Sequence, residues 1–278
     1  MRPLPLPDKP SLLLSFDFDG TLYFPDHRPQ VEYELFTVLR RLREERGALW
    51  VVNTGRSLNH TLEGLMDGGF PFMPDFCITR EQEIFKPNEL GRCAAFGDWN
   101  ARGLKVHDKL FKRAKPTLER VKRFVQGQTH ADYVSVKGDP AGIVSSTEAE
   151  MEQICEVIDP WLAEVPDLAY ERNSIYLRFA HKAYHKGSTL QEVAKYFDLG
   201  PQHCFAIGDG PNDFGMLDLD VAQHIACPVN AAAQVKKRVE DLGGYLCKGE
   251  ASHGVLEALN HFFPLNELEE EPVIRLNV

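Results

Sequence analysis

The stretch SLLLSFDFDGTL, Ser11 to Leu22, is an apolar run that abruptly carries two aspartates, Asp17 and Asp19, and then Gly20 and Thr21. A continuous apolar run this short reads as a buried strand rather than a helix. Unpaired buried charge is expensive, so two carboxylates at a strand end call for a cation, a hydrogen-bond network or chemistry. Side chains two apart on an extended strand point the same way, which lets both aspartates face one site. Taken alone, the pair would better suit a turn or a helix cap.

The pattern repeats outward. Val31, Leu35, Val38, Leu39 and Leu42 recur at helical spacing, with Gly47 as a stop. ALWVVNTGR (48–56) is a second apolar strand ending in polar residues. Leu190, Val193, Ala194 and Phe197 make one face of a later helix. HCFAIGDGPND (203–213) is another apolar strand, ending in Asp209 and Asp213. HIACPV and GGYLCKG supply two short strands beyond it. Strand, helix and strand with near-continuous apolar strands predict an α/β fold, a Rossmann-like parallel-sheet core covered on both faces. Between these halves, YVSVKG and SIYLRFA partly alternate polar with apolar among helical stretches, which predicts an inserted α+β domain whose antiparallel sheet has one freer face. The expected division is a discontinuous core of residues 1–84 and 183–264, an insert of 85–182, and an acidic tail of 265–278.

The chain has 278 residues, 43% hydrophobic and 26% charged, enough for one large domain or two moderate ones. A net charge of −10 argues against sequence-independent nucleic-acid binding. The six cysteines show no metal-ligand spacing, so a zinc site and a disulfide framework are disfavoured and reduced thiols are expected. The proline-rich start, MRPLPLPDKP, is too polar for a signal peptide, and no stretch approaches a membrane span. These features predict a cytoplasmic protein without membrane partners; oligomeric state is not legible.

Ligands of open α/β sheets bind outside the carboxyl ends of the strands. Four polar clusters fall at or near such ends: Asp17, Asp19 and Thr21; Thr54 and Arg56; Lys186; and Asp209, Asn212 and Asp213. Several hard oxygen ligands, with no cysteine or histidine among them, suit Mg²⁺. Thr54 can donate a hydroxyl hydrogen bond to a phosphoryl oxygen, and Gly55 admits close backbone approach. Lys186 opens a helix, where the dipole disfavours a cation and a bound anion would explain it. GDGPND is not GxGxxG, and no GxxxxGK[ST] occurs, so dinucleotide-binding and P-loop readings lack their key residues.

DxDGT after a strand, a threonine after the next strand, a lysine at a helix start and GDxxND after a later strand resemble the haloacid-dehalogenase superfamily, in order from Asp17 to Asp213. The insert is similar to that superfamily's C2-type cap. REQEIF, HKGSTL and KGEASHGVLEAL resemble its sucrose-phosphate-phosphatase branch, although Arg80-Glu81-Gln82 stands where that branch has a glycine-containing turn. The departure bears on the substrate, not on the chemistry. The resemblance implies a Mg²⁺-dependent phosphatase of a small phosphorylated metabolite, a sugar phosphate, acting through an aspartyl-phosphate. Asp17 would be the nucleophile, Asp19 the general acid and base, and Thr54 and Lys186 the remaining catalytic groups. Asp17, the main-chain carbonyl of Asp19, Asp209 and Asp213 would form the metal site, with Thr21, Gly55, Arg56 and Asn212 as ligand-binding candidates. A phosphomutase on the same scaffold and a non-catalytic sugar-phosphate-binding domain are the alternatives; loss of Asp17, Asp19 or Lys186 would mark the latter, and all three are present. Arg172, Asn173, Arg178 and His181 are candidates to touch a leaving group.

Overall fold

The computed structural model describes residues 1–135 and 141–265. In chain order, β1 (Leu12–Phe16), α1 (Tyr33–Arg46), β2 (Ala48–Asn53), α2 (Leu58–Asp67) and β3 (Phe76–Thr79) open the fold. Two short strands, β4 (Glu83–Pro87) and β5 (Cys93–Ala95), precede the long helix α3 (Trp99–Gln128). Next come β6 (Asp132–Val134), β7 (Gly142–Val144), α4 (Glu148–Ala163), β8 (Leu168–Asn173) and β9 (Tyr176–His181). The chain closes with α5 (Lys186–Tyr196), β10 (Cys204–Ile207), β11 (His224–Cys227), α6 (Ala233–Asp241), β12 (Tyr245–Leu246) and α7 (Ala251–Phe262).

The larger sheet runs β12-β11-β10-β1-β2-β3-β4-β5, parallel from β12 to β3. Its central strand β1 is buried at every position, four of the five residues being apolar, because both faces are covered. Leu12, Leu14 and Phe16 pack with residues of α1 and α7. Leu13 packs on the other side with residues of α5 and α6. The helical spacing read from Val31 to Leu42 is α1, and Gly47 ends it in the left-handed region (φ 57°), its N–H donating back to Arg43 and Leu42. Parallel pairing makes β1, β2, β3 and β10 leave the sheet at one edge, so the residues after Phe16, Asn53, Thr79 and Ile207 gather there.

The large sheet continues beyond the expected entry to the insert at residue 85. β4 and β5 pair antiparallel and extend it to Ala95. The turn that makes this hairpin was hidden because Arg80 (φ 49°) and Glu81 (φ 66°) take left-handed conformations usually left to glycine.

The smaller sheet is antiparallel, in the order β6-β7-β9-β8. Ile143, Leu177 and Phe179 pack with Leu118, Val121, Ile154 and Ile158 of α3 and α4. Residues one position away in each strand, among them Val134, Val144, Glu171, Asn173, Tyr176 and Arg178, look instead onto a cavity above the large sheet's carboxyl edge. This is the half-covered sheet that the partial alternation predicts. The acidic tail expected over 265–278 lies outside the described residues beyond Leu265. Among the described residues no helix is long and apolar enough to cross a membrane.

Candidate active site

The cavity between the two sheets measures about 790 Å³. Asp17, Asp19, Thr54, Gly55, Arg56 and Asn212 line its core side. Asp17 leaves β1 with its N–H still bonded to the Ile207 carbonyl (3.0 Å), which ties the residue after one strand to the last residue of its neighbour. The chain then turns tightly: the Phe18 carbonyl accepts from the N–H groups of Leu22 (3.0 Å) and Tyr23 (2.8 Å). Gly20 (φ 77°) faces Asp209, and a Cβ there would lie 2.5 Å from Asp209 Oδ2. Only glycine lets the two loops meet this closely.

Lys186 is fully buried. Its Nζ donates to Asp17 Oδ1 (2.5 Å) and Asp213 Oδ1 (2.6 Å). The start of α5 is pressed to that spot by local chemistry. His185 caps the helix, its Nδ1 accepting from Gly187 N–H (3.2 Å), while Ser188 Oγ accepts from His185 N–H (3.0 Å). A Cβ on Gly187 would come within 2.0 Å of the Gly215 carbonyl oxygen. Asn53 Nδ2 donates to the Lys186 carbonyl (3.0 Å) and so fixes the lysine backbone from β2. Asp213 Oδ2 accepts from Gly210 N–H (2.9 Å) inside a short 3-10 turn, Pro211–Asp213.

A family model of haloacid dehalogenase-like hydrolases matches residues 75–259. The chain belongs to that family. A protein of Streptococcus pyogenes serotype M6, provisionally named a phosphatase, is 24% identical over 271 residues, 89% of this chain and 96% of its own. A haloacid dehalogenase-like hydrolase of Bacillus subtilis superposes with a TM-score of 0.66 at 18% identity, covering 95% of this chain and 96% of that one. A sucrose-phosphatase of Synechocystis, solved with sucrose and phosphate, does so with a TM-score of 0.66 at 18% identity, covering 91% and 98%. The Rossmann-like α/β fold read from the strand pattern is the one these structures share.

In this hydrolase the site is electrostatically crowded. Burial pushes Asp17 up to about 7, with Asp213 adding to the rise and Lys186 opposing it. Burial and then Asp17 push Asp209 up to about 8, and burial pushes Asp213 up to about 6 against the pull of Lys186. For Lys186, burial favours the neutral amine, but Asp17 and Asp213 outweigh it and raise the ammonium above its ordinary value. One lysine therefore does not balance the carboxylates packed around it. Carboxylate oxygens of Asp17, Asp209 and Asp213 lie within 4.8 Å of one another. An all-oxygen, all-carboxylate donor set short of positive charge fits a hard divalent cation such as Mg²⁺.

The sequence candidates sort as follows. Asp17, Asp209, Asp213 and Lys186 form one contiguous cluster. Asp19 stands apart from it: its carboxylate accepts from Arg56 Nε (2.8 Å) and Nη2 (2.6 Å). Arg56 is thereby engaged, with its guanidinium also over the Phe18 ring at 4.8 Å. Thr54 Oγ1 accepts from Arg56 N–H (3.1 Å), which leaves its hydroxyl hydrogen for an acceptor in the cavity. Thr21 does not take the ligand-facing position expected of it. It is fully buried and donates to Asp209 Oδ1 (2.9 Å), so it holds a carboxylate in place. Asn173 and Arg178 line the cavity, whereas Arg172 pairs with Glu152 (3.7 Å) and His181 packs on His107 and Tyr184. Glu81, Glu171 and Tyr176 also line the cavity and were missed. Glu171 and Tyr176 share the alternation phase of Asn173 and Arg178, a signal that period two could have carried once one cavity-facing residue was known.

Proposed function

We propose that the protein is a cytoplasmic, Mg²⁺-dependent phosphatase that hydrolyses a small phosphorylated metabolite, a sugar phosphate, through an aspartyl-phosphate on Asp17. One observation carries the reading: a fully buried lysine bridges Asp17 and Asp213 at the floor of a cavity that also holds Asp19 and Thr54. In this reading the core is built from the large sheet, and the segment bearing the small sheet is a C2-type cap.

Asp17 attacks phosphorus, forming an Asp17 O–P bond as the ester O–P bond breaks. The departing alkoxide takes a proton from Asp19. In the second half Asp19 takes a proton from water, whose oxygen attacks the same phosphorus and releases phosphate and free Asp17. Arg56 orients Asp19 for both transfers. Lys186 offsets the charge of an anion attacking an anion, and the Thr54 hydroxyl donates to a phosphoryl oxygen. Asp17 and Asp209, with Asp213 and the Asp19 main chain beside them, would hold Mg²⁺, which supplies charge neutralisation at the phosphoryl group. Thr21 steadies Asp209 in that set.

The cap face adds room and chemistry for a leaving group. Tyr176 is exposed, so its ring is available to the apolar face of a sugar. Support for a sugar phosphate also comes from the likeness to the Synechocystis sucrose-phosphatase. Asp17→Asn tests the mechanism. The amide is a poor nucleophile, and turnover of p-nitrophenyl phosphate with Mg²⁺ should fall by at least ~10³-fold, with the fold intact by circular dichroism. Retention of substantial Mg²⁺-dependent hydrolysis by this variant would rule out the aspartyl-phosphate.

A further inference from the structure

The leaving-group side of the cavity carries more carboxylate than phosphoryl transfer calls for. Glu171 sits on β8, directly opposite Arg178 of β9 in the sheet register. Arg178 Nη2 donates to the Gly55 carbonyl (3.1 Å), tying the guanidinium to the core loop. Among the described residues nothing donates a hydrogen bond to the Glu171 carboxylate. Its surroundings are burial, then Glu81, with Lys186 and Arg178 as opposing charges, and together they push it up to about 8.

Glu81 reaches the same space from the core. It is buried although it occupies a left-handed turn position that glycine adopts without strain. Its Oε1 accepts from Asn212 Nδ2 (2.8 Å). The other end of that amide, Asn212 Oδ1, is buried without a partner on a residue that lines the cavity. A core turn, a core loop and a cap strand thus present acceptors to one volume. The other cations of the cavity are engaged: Arg56 with Asp19, and Arg80 with Glu83 at 3.5 Å.

We propose that Glu171 and Glu81 form a charge filter on the leaving group, admitting a neutral alcohol rich in hydroxyl donors and excluding one of equal size that bears a second anionic group. Hydroxyls donate to carboxylate oxygens and to Asn212 Oδ1, completing acceptors that the folded chain leaves open. A carboxylate or second phosphate in that position offers no donor and meets Glu81 and, once the raised Glu171 carboxyl has ionised, a second like charge in a region of low dielectric. The phosphoryl group escapes the filter because it lies at the far end, with Lys186 and Thr54. The inference rests on the phosphatase reading. It explains why the glycine expected in the turn after β3 is replaced by Arg80-Glu81: a glycine there would carry no side chain into the cavity.

The test uses the full chain with Mg²⁺ at about pH 9, where the Glu171 carboxyl is ionised, and two matched pairs of esters, each differing only by hydroxymethyl against carboxylate. These are glycerol 1-phosphate against 3-phosphoglycerate, and sorbitol 6-phosphate against 6-phosphogluconate. The wild type should prefer the neutral member by about tenfold or more in kcat/KM. Glu171→Gln and Glu81→Gln should each narrow the ratio several-fold, and Glu171→Arg should bring it to unity or reverse it. A ratio cancels losses of total activity or of folded fraction, and Glu171→Gln decides the matter if Glu171→Arg does not fold. A wild-type ratio near one, or ratios unmoved in the variants, would overturn the filter while leaving the phosphatase standing. Absence of any hydrolysis, of p-nitrophenyl phosphate included, would overturn the phosphatase reading and the filter with it.

Discussion

Lys186 is the residue on which the site's electrostatics turn. Burying an ammonium is tolerable only with good partners, and Asp17 and Asp213 hold it from two sides. Removing it strands two carboxylates in the interior. Lys186→Met should destabilise the protein by ~3–5 kcal/mol, read by denaturant melts. The double variant Lys186→Met with Asp213→Asn should recover part of that loss, because one stranded charge is gone; strict additivity would contradict the coupling. Arg43 and Asp75 form a second buried ion pair, yet it serves structure. Arg43 also donates to the Pro5 carbonyl (2.9 Å) and Trp50 N–H donates to Asp75 (2.8 Å), so its groups are spent on backbone rather than turned toward the cavity.

At the scale of elements, α3 joins the two sheets. Its first turn is pinned to β4 through Asn100, which accepts from Ile84 N–H (2.8 Å) and donates to the Ile84 carbonyl (3.0 Å). Its later turns bury Leu118, Val121 and Val125 in the small sheet's core. Between them His107 uses both ring nitrogens: Nδ1 lies 2.8 Å from the Gly103 carbonyl and Nε2 accepts from His181 N–H (3.0 Å) on β9. That arrangement needs a neutral ring. Burial pushes the His107 pKa below its ordinary value of 6.5, so between the two values the unfolded chain binds more protons than the folded one. Stability from this joint is complete above about pH 6.5 and is lost as pH falls towards the depressed value. In thermal melts at stepped pH, acidification below about pH 6.5 should cost the wild type more, or gain it less, than it does His107→Gln. His181, His185 and His224 are shifted the same way, whereas the raised carboxyls of Asp17, Asp209, Asp213 and Glu171 act in the opposite sense, so the reading is the difference between the two slopes and not the sign of either. An unchanged slope in the variant would remove His107 from the account.

The whole molecule has an apolar core around the large sheet and a separate one under the small sheet. Separate cores allow separate opening. Met151 is fully buried within the small sheet's core, and Met151→Ala should cost that unit ~2–5 kcal/mol. Amide hydrogen exchange in the variant should speed up across β7, β8 and β9 and leave β1 and β10 as protected as in the wild type. Uniform acceleration throughout would mean that the two sheets unfold as one cooperative body.

The sequence by itself determined the doubly covered parallel sheet and the cluster of Asp17, Lys186, Asp209 and Asp213. The sheet and the aspartates rest on a local signal, an apolar run that stops at charged residues, and Lys186 on another, a cation opening a helix; strands leaving one edge must deliver the aspartates to one place. The half-covered second sheet was legible too, from the partial alternation around Tyr133 and Tyr176. Only the tertiary structure decided which phase of that alternation meets the cavity, because a strand's two faces are interchangeable in sequence until the helices that cover one of them are placed. Glu171 and Tyr176 became visible on that ground alone. The β3–β4 hairpin and Glu81 were hidden for another reason: Arg80 and Glu81 hold left-handed conformations that their chemistry does not announce. Thr21 shows the same limit from the other side. A hydroxyl beside two aspartates reads as a ligand contact, and only the approach of Asp209, 188 residues along the chain, turned it inward.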